Sequence, residues 1–158
     1  MNLLEVKNLK TFYFTPKGTV NAVNDVSFNL KKGDVLGLAG ESGCGKTTIL
    51  LSIARLLPDS GKIVGGGINF EGNDLLKMSD EELRQIRWNK ISVIFQGAIN
   101  ALNPLLKVGD QIAETMAIHM DMEKSEALRK AEELLELVGV DPLRTNNYPH
   151  ELSGGMKQ

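Results

Sequence analysis

One cysteine, Cys44, occurs in 158 residues, so no disulfide can form within the chain, and a reducing cytosol suits it. Charge of one sign is also lacking. The net charge is -2 with 24% charged residues, a balance that argues against coating nucleic acid or lying on a membrane through a polybasic face. No apolar run approaches the ~20 residues that span a bilayer, and no signal-peptide pattern opens the N-terminus. Internal repeats and low-complexity tracts are missing too. The length suits one domain with a real core and is short for two ordinary ones. These absences lead one to expect a cytosolic, soluble protein and leave the chemistry open.

The chemistry begins at residues 40–47. Gly40-Glu41-Ser42-Gly43-Cys44-Gly45-Lys46-Thr47 is a complete G-x-x-x-x-G-K-[ST] phosphate loop. Its glycines let successive backbone N–H groups converge on phosphate oxygens, and the helix predicted from Thr47 to Leu57 adds its positive end. Lys46 is placed to reach the β- and γ-phosphates and the Thr47 hydroxyl to ligate Mg²⁺, with Thr48 completing the nucleotide set. The apolar run 35–39 before the loop reads as a buried parallel strand. Cys44 is either a reactive thiol or, more simply, a small residue tolerated at a variable loop position. The pattern predicts a site for a nucleoside triphosphate with Mg²⁺.

Around this loop the patterning changes twice. Residues 4–6 and 26–30 alternate apolar with polar, as half-exposed antiparallel strands do. Residues 31–34 and 58–61 read as turns, and Gly65-Gly66-Gly67 as a flexible entry to a strand at 68–70. Ser79 and Glu82 form a capping box, with Met78 and Leu83 as its hydrophobic staple, for a helix from about Ser79 to Trp88. Trp88, the one tryptophan, closes that helix. Residues 91–95 read as a second buried strand ending at Gln96. Beyond it, Asn103-Pro104 breaks the chain and a helix is predicted over 108–120. Leu128, Ala131, Leu134, Leu135 and Val138 mark the apolar face of another helix, capped by Gly139. Asp141-Pro142 opens a loop to His150. The chain ends in Leu152-Ser153-Gly154-Gly155-Met156-Lys157-Gln158, whose Ser-Gly-Gly turn is a second anion-binding nest.

Loop, strand-end glutamine, helical stretch and Ser-Gly-Gly turn, in that order, resemble the ATP-binding-cassette (ABC) ATPases over the whole chain. The resemblance implies an α/β fold: a P-loop NTPase core with an antiparallel β-subdomain over 1–96, and a helical subdomain over 97–158 that ends in the family signature. Residues 40–47 look like the Walker A loop and Gln96 like the Q-loop glutamine, near Mg²⁺ and the attacking water. Tyr13 looks like the aromatic that stacks on adenine, with Phe12 and Phe14 as alternatives. Lys46 and Gln96 are then the catalytic candidates. Gly40, Ser42, Gly43, Cys44, Gly45, Lys46, Thr47 and Thr48 are the nucleotide contacts, and Thr47 and Gln96 the metal contacts. Ser153, Gly154 and Gly155 would serve the γ-phosphate of a nucleotide held by a partner ATPase.

Leu102-Asn103-Pro104 and Tyr148-Pro149-His150-Glu151-Leu152-Ser153 resemble the ATPase subunits of di- and oligopeptide importers. Nickel importers share the wording, and a cytosolic ABC ATPase without a transporter is a further alternative. Gly97-Ala98 stands where the peptide group usually has Asp-Pro. The resemblance implies a second ATPase subunit, identical or homologous, and membrane permease subunits touching the helical part. The protein would lie in the cytoplasm, peripheral to the cell membrane, with no nucleic-acid partner. The family's Walker B carboxylates and switch histidine come after its signature. No apolar run ending in Asp-Glu follows Gly155 here, and His119 and His150 stand elsewhere. A cassette ending at this point is expected to bind nucleotide, to hydrolyse it poorly, and either to self-associate through an exposed sheet edge or to order its phosphate loop poorly.

Overall fold

Two compact units follow one another along the chain, Met1–Ile91 and Ser92–Gln158. The computed structural model describes residues 2–95, 97 and 101–157. Gln96 and Ala98 therefore lie outside the described residues. No helix among those described is long and apolar enough to cross a membrane.

The first unit is built on two 14-residue strands, β1 (Asn2–Thr15) and β2 (Gly18–Lys31). They pair antiparallel, as the alternation at 4–6 and 26–30 predicts: Val6 is buried, and Val26 and Phe28 pack on the core. β3 (Gly61–Phe70) pairs with the other edge of β1, and the short β4 (Asn73–Asp74) with β3, giving the order β2-β1-β3-β4. The three consecutive glycines sit inside β3 rather than before it. Gly66 takes φ 87, and a Cβ there would lie 2.5 Å from the Asn8 carbonyl oxygen, so this point of the strand accepts no side chain. Asn8 (φ 47) and Asp25 (φ 62) bulge beside it and are tied together by Asn8 Nδ2 donating to Asp25 Oδ1 at 3.0 Å.

Helix α1 (Lys46–Ile53) lies on this sheet. Its Ile49 and Ile53 enter one core with Val6, Leu9, Val23, Ile68, Phe70, Leu75 and Leu83. The helix ends four residues before the predicted Leu57, because Arg55 turns to φ 51 and other groups take the terminal carbonyls. The Arg87 guanidinium donates to Ala54 O through Nε and Nη2 at 3.0 and 2.8 Å, and to Arg55 O at 2.7 Å. Burial, then the neighbouring Arg55, lowers the Arg87 pKa, and a guanidinium starts high enough to stay charged. A cation on a helix C-terminus is favourable, and truncating it strands buried carbonyls. Arg87→Ala is expected to lower unfolding stability by about 2 kcal/mol, read as a lower urea midpoint at unchanged slope.

Helix α2 (Asp80–Ile86) has the capping box the sequence predicts. Ser79 N–H and Oγ–H both donate to Glu82 Oε2 at 2.8 Å, and Met78 packs beside buried Leu83. Trp88 stands outside the helix at φ 70, and Arg87 rather than Trp88 ends it. The Ser79 backbone N–H, then its hydroxyl, holds the Glu82 carboxyl below its ordinary value. A carboxylate depressed in the folded state stabilises above its unfolded pKa of ~4.3 and loses that contribution as pH falls through the folded value. The protection of the Ser79 amide against exchange, relative to the free-chain rate at the same pH, is expected to fall as acid protonates Glu82, and Glu82→Gln should flatten that dependence.

Two predicted strands do not form. Residues 35–39 and 91–95 are not paired in a sheet, apart from an isolated bridge between Arg87 and Ile91. Val35 is 98% exposed and Ile94 92%. A parallel strand needs ladder partners and cover on both faces, and among the described residues no strand flanks either segment.

The second unit packs α3 (Val108–Met120), with the predicted bounds, on α4 (Lys124–Leu137). Ala113 and Met116 meet Ala127 and Ala131. The inward face of α4 is thus Ala127, Ala131 and Leu135, with Leu128 packed against the same cluster; Val138 lies past the helix and, with Leu134, is exposed. Gly139 caps α4 at φ 78, its N–H donating to Glu136 O at 2.9 Å. The predicted loop 141–150 holds two 3₁₀ turns, Pro142–Asn146 and Pro149–Glu151, and a short α5 (Gly154–Lys157) comes after them.

Candidate functional site

Gly45 is the hinge of the phosphate loop. It precedes α1 at φ 94, and a Cβ on it would fall 2.2 Å from the Ala22 carbonyl oxygen. Loop and sheet therefore touch backbone to backbone, which only glycine permits. No side chain caps α1. The N–H groups of its first turn have no intrahelical acceptor by geometry and open towards the loop.

Gly43, Cys44, Gly45, Lys46, Thr47 and Thr48 line a shallow depression of about 140 Å³. Lys46 Nζ lies over the loop, donating to Gly40 O at 2.7 Å, Glu41 O at 2.6 Å and Cys44 Sγ at 3.4 Å. Its ammonium is thus held in the loop by neutral acceptors, which an anionic oxygen can outcompete. Cys44 and Ser42 are exposed. Thr47 is exposed and Thr48 buried. The cradle thus combines a cation, a hydroxyl and a helix end, a donor set for a phosphate chain with a hard metal ion.

Tyr13 is half-buried on β1. Its ring lies against Gly61, where a Cβ would come within 2.8 Å of Cε1, and its hydroxyl stands 3.4 Å from Thr48 Oγ1. The structure therefore brings Tyr13 to the phosphate-loop helix. Phe14, by contrast, is 47% exposed. Ser153, Gly154 and Gly155 are exposed in the second unit, where Ser153 Oγ accepts from Met156 N–H at 3.4 Å. The Tyr148 and His150 rings stack beside that turn, centroids 5.7 Å apart. Gln96, the remaining candidate, lies outside the described residues.

Sequence reasoning passed over Ala22, Thr11, Ser52 and Arg87, which seat the loop and its helix on the sheet. For Thr11 the signal was a hydroxyl at an inward position of β1. For Ala22 and Arg87 there was none, since their contacts are to backbone distant in sequence.

The fold is that of an ATP-binding cassette. A solved cassette, in a dimeric post-hydrolysis state bound to ADP and Pi, superposes with a TM-score of 0.84 at 28% identity, covering 98% of this chain and 65% of that one. A family model described as ABC transporter matches residues 23–158, and the chain belongs to that family. Among curated relatives, the dipeptide transport ATP-binding protein DppD of Bacillus subtilis is 47% identical over 99% of this chain and 48% of its own length. The oligopeptide transport ATP-binding protein AppD of Bacillus subtilis is 45% identical, again over 99% of this chain and 48% of its own length. The oligopeptide transport ATP-binding protein OppD of Escherichia coli is 41% identical over 99% of this chain and 47% of its own length. The chain spans about half the length of the curated relatives it matches.

Proposed function

We infer that this chain is the nucleotide-binding part of an ATPase subunit that drives peptide import. What carries the reading is the phosphate cradle of 40–48, seated on the sheet at the start of α1 in a chain whose relatives are named for dipeptide and oligopeptide transport. In this reading Lys46 exchanges its loop carbonyls for β- and γ-phosphate oxygens. The N–H groups from Gly43 to Thr48 bind the remaining oxygens, and the Tyr13 ring faces adenine. The Thr47 hydroxyl would help to hold Mg²⁺, which would supply neutralisation of phosphate charge. Gln96 would orient the attacking water.

Ser153, Gly154 and Gly155 would contact the γ-phosphate held by a second ATPase subunit, identical or homologous, so closure of the pair follows ATP binding. The helical part would meet membrane permease subunits, placing the protein on the cytoplasmic face of the membrane.

Calorimetric titration tests the reading. Saturable binding of MgATP that weakens as phosphates are removed, through ADP to AMP, is expected. An absence of saturable binding, or equal affinity for AMP, overturns it.

A further inference from the structure

The buried polar side chains described in the first unit are Thr11, Thr48 and Ser52, and a chain of hydrogen bonds runs from the Thr11 hydroxyl through the Ser52 hydroxyl to the Thr48 backbone carbonyl. Ser52 Oγ donates its single proton to Thr48 O at 2.6 Å. The 2.8 Å contact between Thr11 Oγ1 and Ser52 Oγ must therefore have Thr11 as donor. The order is Thr11 to Ser52 to the first turn of α1.

A second rung stands beside the first, where Tyr13 Oη meets Thr48 Oγ1 at 3.4 Å. Thr11 and Tyr13 are two apart on a strand, Thr48 and Ser52 four apart on a helix, so each pair shares a face. The strand is also bent to suit. β1 slips register against β2 on both sides of Thr11, and against β3 just before it. Irregularities of this kind re-aim side chains.

A hydroxyl in this place is costly without a partner, and valine would fill the same volume. Its use lies in direction. Ile49 and Ile53 hold α1 to the sheet through contacts that tolerate sliding, whereas a hydroxyl pair is lost once the oxygens part beyond ~3.5 Å. We propose that Thr11 and Ser52 are positioning residues of the nucleotide site: β1 sets, through Thr11, Ser52 and Thr48 O, where α1 stands on the sheet and so where Lys46, Thr47 and Thr48 meet the phosphate chain. The inference rests on the reading of 40–48 as a phosphate-chain site and adds its control from the sheet.

The test uses the whole chain, with MgATP and inorganic tripolyphosphate plus Mg²⁺ as probes. Thr11→Val keeps the shape and removes the hydroxyl; Thr11→Ser keeps the hydroxyl and removes the methyl. Thr11→Val is expected to weaken both probes roughly three- to tenfold. Thr11→Ser should restore binding, and Thr11→Val with Ser52→Ala should be no weaker than Ser52→Ala alone, since the chain is already cut. A packing role reverses the first ordering, leaving Thr11→Ser defective and Thr11→Val sound, and overturns the proposal. So do losses that multiply, or a loss for MgATP without one for tripolyphosphate. If Thr11→Val fails to fold, Ser52→Ala carries the comparison of probes. Were the parent chain to bind neither probe, the nucleotide reading would fall and this with it; parent-like binding by a folded Thr11→Val removes the positioning role alone.

Discussion

Gly45→Ala is expected to abolish MgATP binding and lower the melting temperature together. The residue holds φ 94, which an alanine adopts only under strain, and the added methyl would sit 2.2 Å from the Ala22 carbonyl oxygen. That oxygen belongs to the backbone of β2, next to the Val23–Thr11 pair of the sheet, so it has little freedom to retreat. Backbone strain and overpacking together cost about 2–6 kcal/mol. The chain can relieve them by lifting the loop off the sheet, which scatters the N–H groups of 43–48. Calorimetry and thermal unfolding on the same preparation decide the matter. Parent-like values in both would mean that loop and sheet are not in backbone contact.

Lys46→Ala is expected to separate the two quantities that Gly45→Ala changes together. Lys46 makes its contacts with Gly40 O, Glu41 O and Cys44 Sγ at the protein surface, and nothing in the core depends on them. Unfolding should therefore barely move. Affinity should fall about 10- to 100-fold, since a hydrogen bond to a charged group contributes roughly 1.5–3 kcal/mol. The loss should shrink from MgATP to AMP if the ammonium serves the terminal phosphates, as proposed. A variant that melts early, or binds MgATP as the parent does, would contradict this account of the loop.

The readings that held were those whose physics lies within a few residues. The capping box needs only Ser79 and Glu82 three apart, and the structure closes it as spelled. The α3 bounds follow from a break at Asn103-Pro104 and an unbroken helical period. Long antiparallel strands alternate visibly because one face packs and the other meets solvent. Strands at 35–39 and 91–95 misled for the opposite reason. Their apolar runs state what burial would suit them, and burial is supplied by neighbours rather than by the run itself. The α4 face went the same way: Leu134 and Val138 fit the helical period, but the small side chains of Ala127 and Ala131 are what α3 approaches.

By itself the sequence determined the phosphate-loop motif, its glycines and its lysine, because these residue types stand together in eight consecutive positions. It also determined the sheet's antiparallel character and the helix caps, which are local. Only the tertiary structure decided what the loop rests on. Ala22 against Gly45, Thr11 against Ser52 and Arg87 against Ala54 O join residues 23, 41 and 33 positions apart. Two of those contacts are made to backbone carbonyls, which every residue type carries, so no amino-acid pattern announces them. The third is a buried hydroxyl whose partner can be named only once strand and helix lie side by side.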